Sequence, residues 1–308
     1  MIKAIFIVGP TASGKTSVSI ELAKKFGGEI ISADSMQIYK GIHIASAAPD
    51  EDEKCGVPHH LIEFLELSEQ FSVADYVKLA REKISEISSR GKLPIIVGGT
   101  GLYISSLIDN IKFIDQEADL ALREELEQKF DLLGGEEMLK QLAAFDSDSA
   151  NRLHPNNRRR IIRAFEVYIQ TGKTITEQNI LSKQNNGNII PLIIGLNFAD
   201  RQNLYDRINQ RVDIMLKNGL LEEAKQTYSK CDTKGAFQAI GHKELYGYFD
   251  GVATLDDAVE NLKMQTRRYA KRQITWFKRI EEINWFYPDE SQVINEIFDL
   301  TQEFLKEE

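Results

Sequence analysis

Residues Gly9 to Thr16 read Gly-Pro-Thr-Ala-Ser-Gly-Lys-Thr and fit the pattern G-x-x-x-x-G-K-[ST]. Each fixed position has a chemical reason. Gly9 and Gly14 let the backbone turn so that successive N–H groups face one anion. Lys15 brings a charge to phosphate oxygens, and the Thr16 hydroxyl can ligate Mg²⁺. Pro10, Thr11, Ala12 and Ser13 complete the phosphate cradle. Asp34 is a second residue suited to chemistry. A carboxylate there can hold Mg²⁺ or take a proton from an acceptor. Asp34-Ser35 is also a common turn pair, so a structural role stands beside the chemical one.

A phosphate loop needs a strand before it and a helix after it. Residues 2–8 are an apolar run interrupted only by Lys3 and ending at Gly9, and Ser17–Phe26 has helical periodicity. Short apolar runs recur at 29–33, 93–99 and 190–198, and residues 73–89 read as a helix. Continuous apolar strands alternating with amphipathic helices predict an α/β protein, with a parallel sheet covered on both faces. Asp34 would then sit beside the loop, in the crevice at the carboxyl ends of the strands. The run at 93–99 leads into Gly98-Gly99-Thr100-Gly101 with no carboxylate, where an ATPase usually has an aspartate for Mg²⁺.

From about 115 to 182 the apolar spacing is three to four throughout, which predicts an all-helical insertion. The expected organisation is a phosphate-loop core of residues 1–114 and 190–308 with an insertion of 115–189. The polar stretch 182–188 is expected as a linker, and helices are expected over about 200–229, 254–283 and 291–306.

The chain has 308 residues and a net charge of −9, which taken whole disfavours a nucleic-acid partner. Its distribution does not. Lys263 to Arg279 holds seven Lys or Arg and no acid, and Arg158, Arg159, Arg160 and Arg163 form a second cluster. Arg268, Arg272, Thr275 and Arg279 share one helical face, and Tyr269, Gln273 and Trp276 form another row. A basic face beside aromatics can meet phosphates and stack on a base, or be a solvated face over an aromatic core. The triplet 158–160 cannot all point one way, so at most two are direct contacts. The two cysteines, Cys55 and Cys231, form no metal or disulfide pattern, and the five histidines lack ligand spacing. No apolar run is long enough for a membrane span, and MIKAIFIVGP reads as a first strand and not a signal peptide. A cytoplasmic protein is expected.

GPTASGKT (9–16), ISADSMQIYKG (31–41), VPHHLIE (57–63), PIIVGGTGLY (94–103), HPNNRRRIIRAFEVY (154–168), AIGHKEL (239–245) and KRQITWF (271–277) occur in that order. Together they resemble the bacterial tRNA dimethylallyltransferases. The resemblance implies a Mg²⁺-dependent monomer with a P-loop NTPase-like core. It would transfer a dimethylallyl group from dimethylallyl diphosphate to the exocyclic N6 amine of the adenine immediately 3′ of the anticodon, in tRNAs reading codons that begin with U. The base must leave its stack to expose that amine. Asp34 would be the general base. Lys15, Thr16 with Mg²⁺, and Arg211 would neutralise the departing diphosphate, and Thr100 would be a further catalytic residue. The tRNA contacts would be Asp34, Ser35, Met36, Gln37, Thr100 and Arg123, together with Asn156, Asn157, Arg158, Arg159 and Arg160. Gln238, Ala239, Ile240, Gly241, His242 and Lys243 would add a loop, and Lys271, Arg272, Gln273, Ile274, Thr275, Trp276, Phe277 and Lys278 a helix.

This chain departs from that family pattern in two places. Ala45-Ser46-Ala47-Ala48 replaces a usual Gly-Thr-Ala-Lys, removing a positive charge, and His242 stands where tyrosine is usual. A small-molecule kinase shares the loop and the aspartate but does not call for the KRQITW helix. An adenylate prenyltransferase would not need the insertion. A GTP switch would want N-K-x-D, which is missing.

Overall fold

A computed structural model of the chain describes residues 1–111, 119–183, 188–229, 239–290 and 292–307. The chain divides into two compact units, one of Met1–Ile108 with Asn188–Glu308 and one of Asp109–Gly187. The first contains a six-stranded sheet in the order β3-β2-β4-β1-β5-β6. These strands are β1 (Ile2–Val8), β2 (Gly28–Ser32), β3 (His59–His60), β4 (Leu93–Gly98), β5 (Ile189–Leu196) and β6 (Ile283–Phe286). Every pairing is parallel.

The continuous apolar character of β1 follows from its position. Ala4, Phe6 and Val8 pack on one face with Tyr76, Ala80 and Ile84 of the Val73–Ser89 helix and with Ile104 of the Gly101–Ile108 helix. Ile5 and Ile7 pack on the other face with Leu22 and Ala23 of the Lys15–Phe26 helix and Ile297 of the Val293–Lys306 helix. Successive side chains alternate between faces, and both faces are covered, so the fully buried stretch Ala4–Val8 carries no polar side chain, while Lys3 lies at the half-buried start of the strand. Each fully buried isoleucine contributes about 1.5–3 kcal/mol relative to an exposed one.

Two strands escape the sequence reading. The expected helix over 254–283 ends at Phe277, and residues 283–286 instead pair with β5 in the register Ile193↔Ile283. His59 and His60, for which the sequence reading expected no strand, form edge strand β3 on β2. His60 Nε2 and Arg90 Nη2 both lie 2.7 Å from Glu29 Oε2. Burial raises the Glu29 pKa, but the hydrogen bonds from His60 and Arg90 outweigh it and hold the carboxyl below its usual value. The expected helix over 200–229 is two helices, Arg201–Lys217 and Leu220–Tyr228, broken where Gly219 adopts φ 99°. Among the described residues no helix is long and apolar enough to cross a membrane.

The second unit is helical. Leu126, Met138, Leu142, Ile161, Ile162 and Phe165 form its core. Its longest helix, Leu120–Ala143, is interrupted at Gly134, whose φ of 76° and ψ of 164° are not helical. Residues 184–187 of the expected linker lie outside the described residues.

Candidate active site

The phosphate loop joins β1 to the Lys15–Phe26 helix at the centre of the sheet. Gly9 has φ 148°, and a Cβ there would lie 2.2 Å from Leu196 O on β5, so only glycine lets the loop leave the sheet edge. Gly14, at φ 88°, opens the helix. Lys15 folds back into the loop, donating to Gly9 O at 3.1 Å and Pro10 O at 2.7 Å. The Thr16 hydroxyl is exposed and makes no hydrogen bond among the described residues.

β4 lies between β1 and β2, which brings the ends of β2 and β4 beside the loop. Ala33 N donates to Val97 O at 2.7 Å and Thr100 N to Ala33 O at 3.2 Å, tying the two ends together. Ser35 N donates to Thr100 Oγ1 at 3.0 Å. Asp34 Oδ1 accepts from Met36 N at 2.8 Å, so the aspartate does shape its turn. Its Oδ2 has no hydrogen-bond partner among the described residues, which leaves it free for chemistry as well. Gln37 is committed internally, accepting from Ser32 Oγ at 2.8 Å and donating to Ala47 O at 3.1 Å.

These groups line a cavity of about 1100 Å³, together with Arg207, Arg211, Tyr269 and Arg272. Burial, and then the neighbouring Arg211, lower the Lys15 pKa to about 7 against the pull of Asp34. Arg211 is itself lowered by burial and held up by Asp34 and Glu53. Lys15 and Arg211 thus lie close enough to oppose each other's charge, with the Asp34 carboxylate acting on both and Arg207 and Arg272 nearby, an arrangement that favours an incoming anion. Burial and the charge of Asp34 raise the Tyr269 hydroxyl above its ordinary value.

Sequence spacing missed Arg207. It lies one helical turn before Arg211 on the same face, a signal that was available, and its Nε donates to Ala12 O at 3.1 Å. Among the described residues no group of three or more His, Cys, Asp or Glu could hold a metal. Among the described residues the Thr16 hydroxyl and the Asp34 carboxylate line the cavity, which suits Mg²⁺, an ion that takes its other ligands from water and substrate phosphates.

Several expected tRNA contacts are corrected by burial. Phe277 is fully buried in the core, and Gln273 is 5% exposed. Trp276 donates to Ser105 Oγ at 2.9 Å and Ile274 is half-buried, so this side of the helix packs against the protein, with Gln273 at the cavity wall. Lys271, Thr275 and Lys278 are exposed, as is Arg272, although Arg272 also lines the cavity. Ala239, Gly241 and His242 are buried, and His242 Nε2 lies 2.8 Å from Glu223 Oε1. Ile240 is half-buried, Lys243 is exposed, and Gln238 lies outside the described residues.

In the helical unit Arg158 is spent on Asp131 and Glu127, with Nη2 lying 2.9 Å from Asp131 Oδ2. Arg123 pairs with Glu166 at 3.4 Å. Asn156, Arg159 and Arg160 remain exposed, and Asn157 precedes their helix.

A family model described as IPP transferase matches residues 37–280. The tRNA dimethylallyltransferase of Bacillus subtilis (strain 168) is 50% identical over 286 residues, covering 92% of this chain and 90% of that protein. The one from Thermoanaerobacter sp. (strain X514) is 48% identical over 301 residues, covering 96% and 95%. Among solved structures, the full-length tRNA isopentenylpyrophosphate transferase of Bacillus halodurans matches with TM-score 0.73 at 43% identity, over 99% of this chain and 97% of that one. A eukaryotic dimethylallyltransferase acting on tRNA matches with TM-score 0.86 at 30% identity, over 99% of this chain and 80% of that one. The family model and the relatives both span most of the sequence, and this chain belongs to the IPP transferase family, the family of the tRNA dimethylallyltransferases.

Proposed function

We propose that this chain transfers the dimethylallyl group of dimethylallyl diphosphate to the exocyclic N6 amine of the adenine immediately 3′ of the anticodon in tRNA. The observation that carries this reading is the cavity in which Lys15 and Arg211 face Asp34 across the phosphate loop. A diphosphate on the loop would place its prenyl carbon near the carboxylate. The amine nitrogen then forms the new C–N bond as the C–O bond to diphosphate breaks, with the electron pair leaving on oxygen. Asp34 Oδ2 takes the amine proton. Lys15, Arg211 and the loop N–H groups meet the charge that develops on the leaving group. Mg²⁺ held through Thr16 would add Lewis-acid stabilisation of the same charge.

Incubating the chain with unmodified tRNA, Mg²⁺ and labelled dimethylallyl diphosphate tests the reaction, with AMP, ATP and no acceptor as controls. Label is expected in tRNA alone. Label in AMP, or a phosphoryl transfer from ATP, would overturn the reading.

The tRNA surface would include the exposed face of Arg268, Lys271, Thr275, Lys278 and Arg279. Replacing Lys271 and Arg279 by alanine is expected to weaken tRNA binding and to flatten its salt dependence by roughly one unit per lost phosphate contact, measured by filter binding at several salt concentrations. Arg272 is not used in this test because it also lines the cavity, despite its distance in sequence from the loop. An unchanged slope would mark the face as solvated charge only.

A further inference from the structure

The Leu255–Phe277 helix carries two rows of side chains, each with residues three to four apart. The outer row, with Arg268, Arg272 and Thr275, is exposed. The inner row, Tyr269, Gln273 and Trp276, meets the loops of the site. Gln273 is 5% exposed and uses both ends of its amide. Its Oε1 accepts from Thr11 N at 2.9 Å, and its Nε2 donates to Gly99 O at 3.0 Å. One neutral side chain therefore spans the phosphate loop and the turn that carries Thr100. The fit is close, because a Cβ on Gly99 would lie 2.1 Å from Gln273 Nε2. Trp276 fixes the same helix to Ser105 one turn further on.

Thr11 N–H belongs to the loop whose donors would face a diphosphate, and here it is committed to Gln273. A half-buried N–H needs a partner, so a phosphate oxygen that took this donor would have to displace Gln273 into a withdrawn state. Arg272, the adjacent residue, is exposed and also reaches the cavity, its guanidinium 5.6 Å from the ring of Tyr269 in the inner row. We infer that Gln273 is a positioning residue that couples the two substrates, tRNA on the outer row favouring the withdrawn state and so tightening the donor site. This rests on reading the outer row as a tRNA surface. Both ligands bias one local equilibrium, so each changes the affinity of the other by the same factor. No long pathway is needed, since the outward and inward residues are neighbours on one stiff helix.

The test measures the affinity of a non-reactive donor analogue, dimethylallyl thiolodiphosphate, with and without saturating unmodified tRNA. In the wild-type chain tRNA is expected to tighten the analogue by on the order of tenfold. Gln273→Met keeps the volume and loses both hydrogen bonds, and its coupling factor is expected to fall to within about twofold of one. Gly99→Ala displaces Gln273 without altering it and is expected to do the same. The double variant should lose nothing more, because both act on one contact. Thermal unfolding identifies a variant that fails to fold, in which case the other one decides. A wild-type coupling factor retained in either folded variant overturns the inference, as does a wild-type chain that binds both ligands independently. A chain that binds no tRNA overturns the underlying reading as well, so the two failures are distinguishable.

Discussion

Asp34→Asn is expected to lower the single-turnover rate of prenyl transfer by roughly 10²–10⁴-fold, the usual worth of a positioned base. The substitution isolates chemistry from shape. The asparagine Oδ1 can still accept from Met36 N and Gln37 N, so the turn after β2 survives. The other carboxylate oxygen, which has no hydrogen-bond partner among the described residues, becomes an NH₂ group and cannot accept a proton. A second effect follows from charge. Asp34 raises the pKa of Lys15, so its loss lets that pKa fall further. The rate is therefore best compared on the acid side of pH 7, where the loss of the Lys15 proton contributes least to the difference. A single-turnover rate within threefold of the wild type would place the base elsewhere.

Lys15→Ala is expected to cost on the order of a hundredfold or more in rate, the typical loss when one preorganised donor to a developing charge is removed. The pH behaviour of the wild type provides a sharper check. Burial and Arg211 place the Lys15 pKa at about 7 in the free protein. Diphosphate binds the charged ammonium better, so the bound state has the higher pKa. Donor affinity should therefore be flat below pH 7, where Lys15 already carries its proton. It should fall by about tenfold per unit above pH 7, where binding must take a proton up, until the bound-state pKa is reached. Lys15→Arg should remove this inflection, because a guanidinium stays protonated throughout. Calorimetric titration of the non-reactive analogue in buffers of different ionisation enthalpy measures the proton uptake directly. No uptake at pH 8 would mean that Lys15 is already charged in the free loop.

Much of the sheet was legible because burial on two faces leaves a strong mark. The runs 2–8, 29–33, 93–99 and 190–198 are largely apolar, with Lys3 and Glu29 near their starts, and the chain uses them as β1, β2, β4 and β5. β6 left no such mark. Ile283–Phe286 is four residues long and carries Asn284, and its burial is only partial because it lies at the sheet edge. β3 is shorter still, two histidines whose strand character comes from pairing with β2. The break at Gly219 was missed because apolar spacing continues across it on both sides.

For the site, the sequence by itself determined the phosphate loop, the placing of Asp34 after a strand, and the rows along the Leu255–Phe277 helix. These are local properties: glycine at a backbone turn, an acid at a strand end, and a period of three to four residues. Which row meets solvent is not local. Gln273, Trp276 and Phe277 sit in a basic stretch that resembles an RNA surface, yet they face the loops and the core, because this helix packs on the end of β4. Arg158 is one of three adjacent arginines, and only the nearness of Asp131 and Glu127 removes it from the exposed set. Arg211 and Arg207 lie nearly two hundred residues from the loop they serve, and the sheet order alone brings their helix to Lys15. Periodicity states which residues share a face. What that face touches depends on partners that are distant in the chain, and only the tertiary structure decides it.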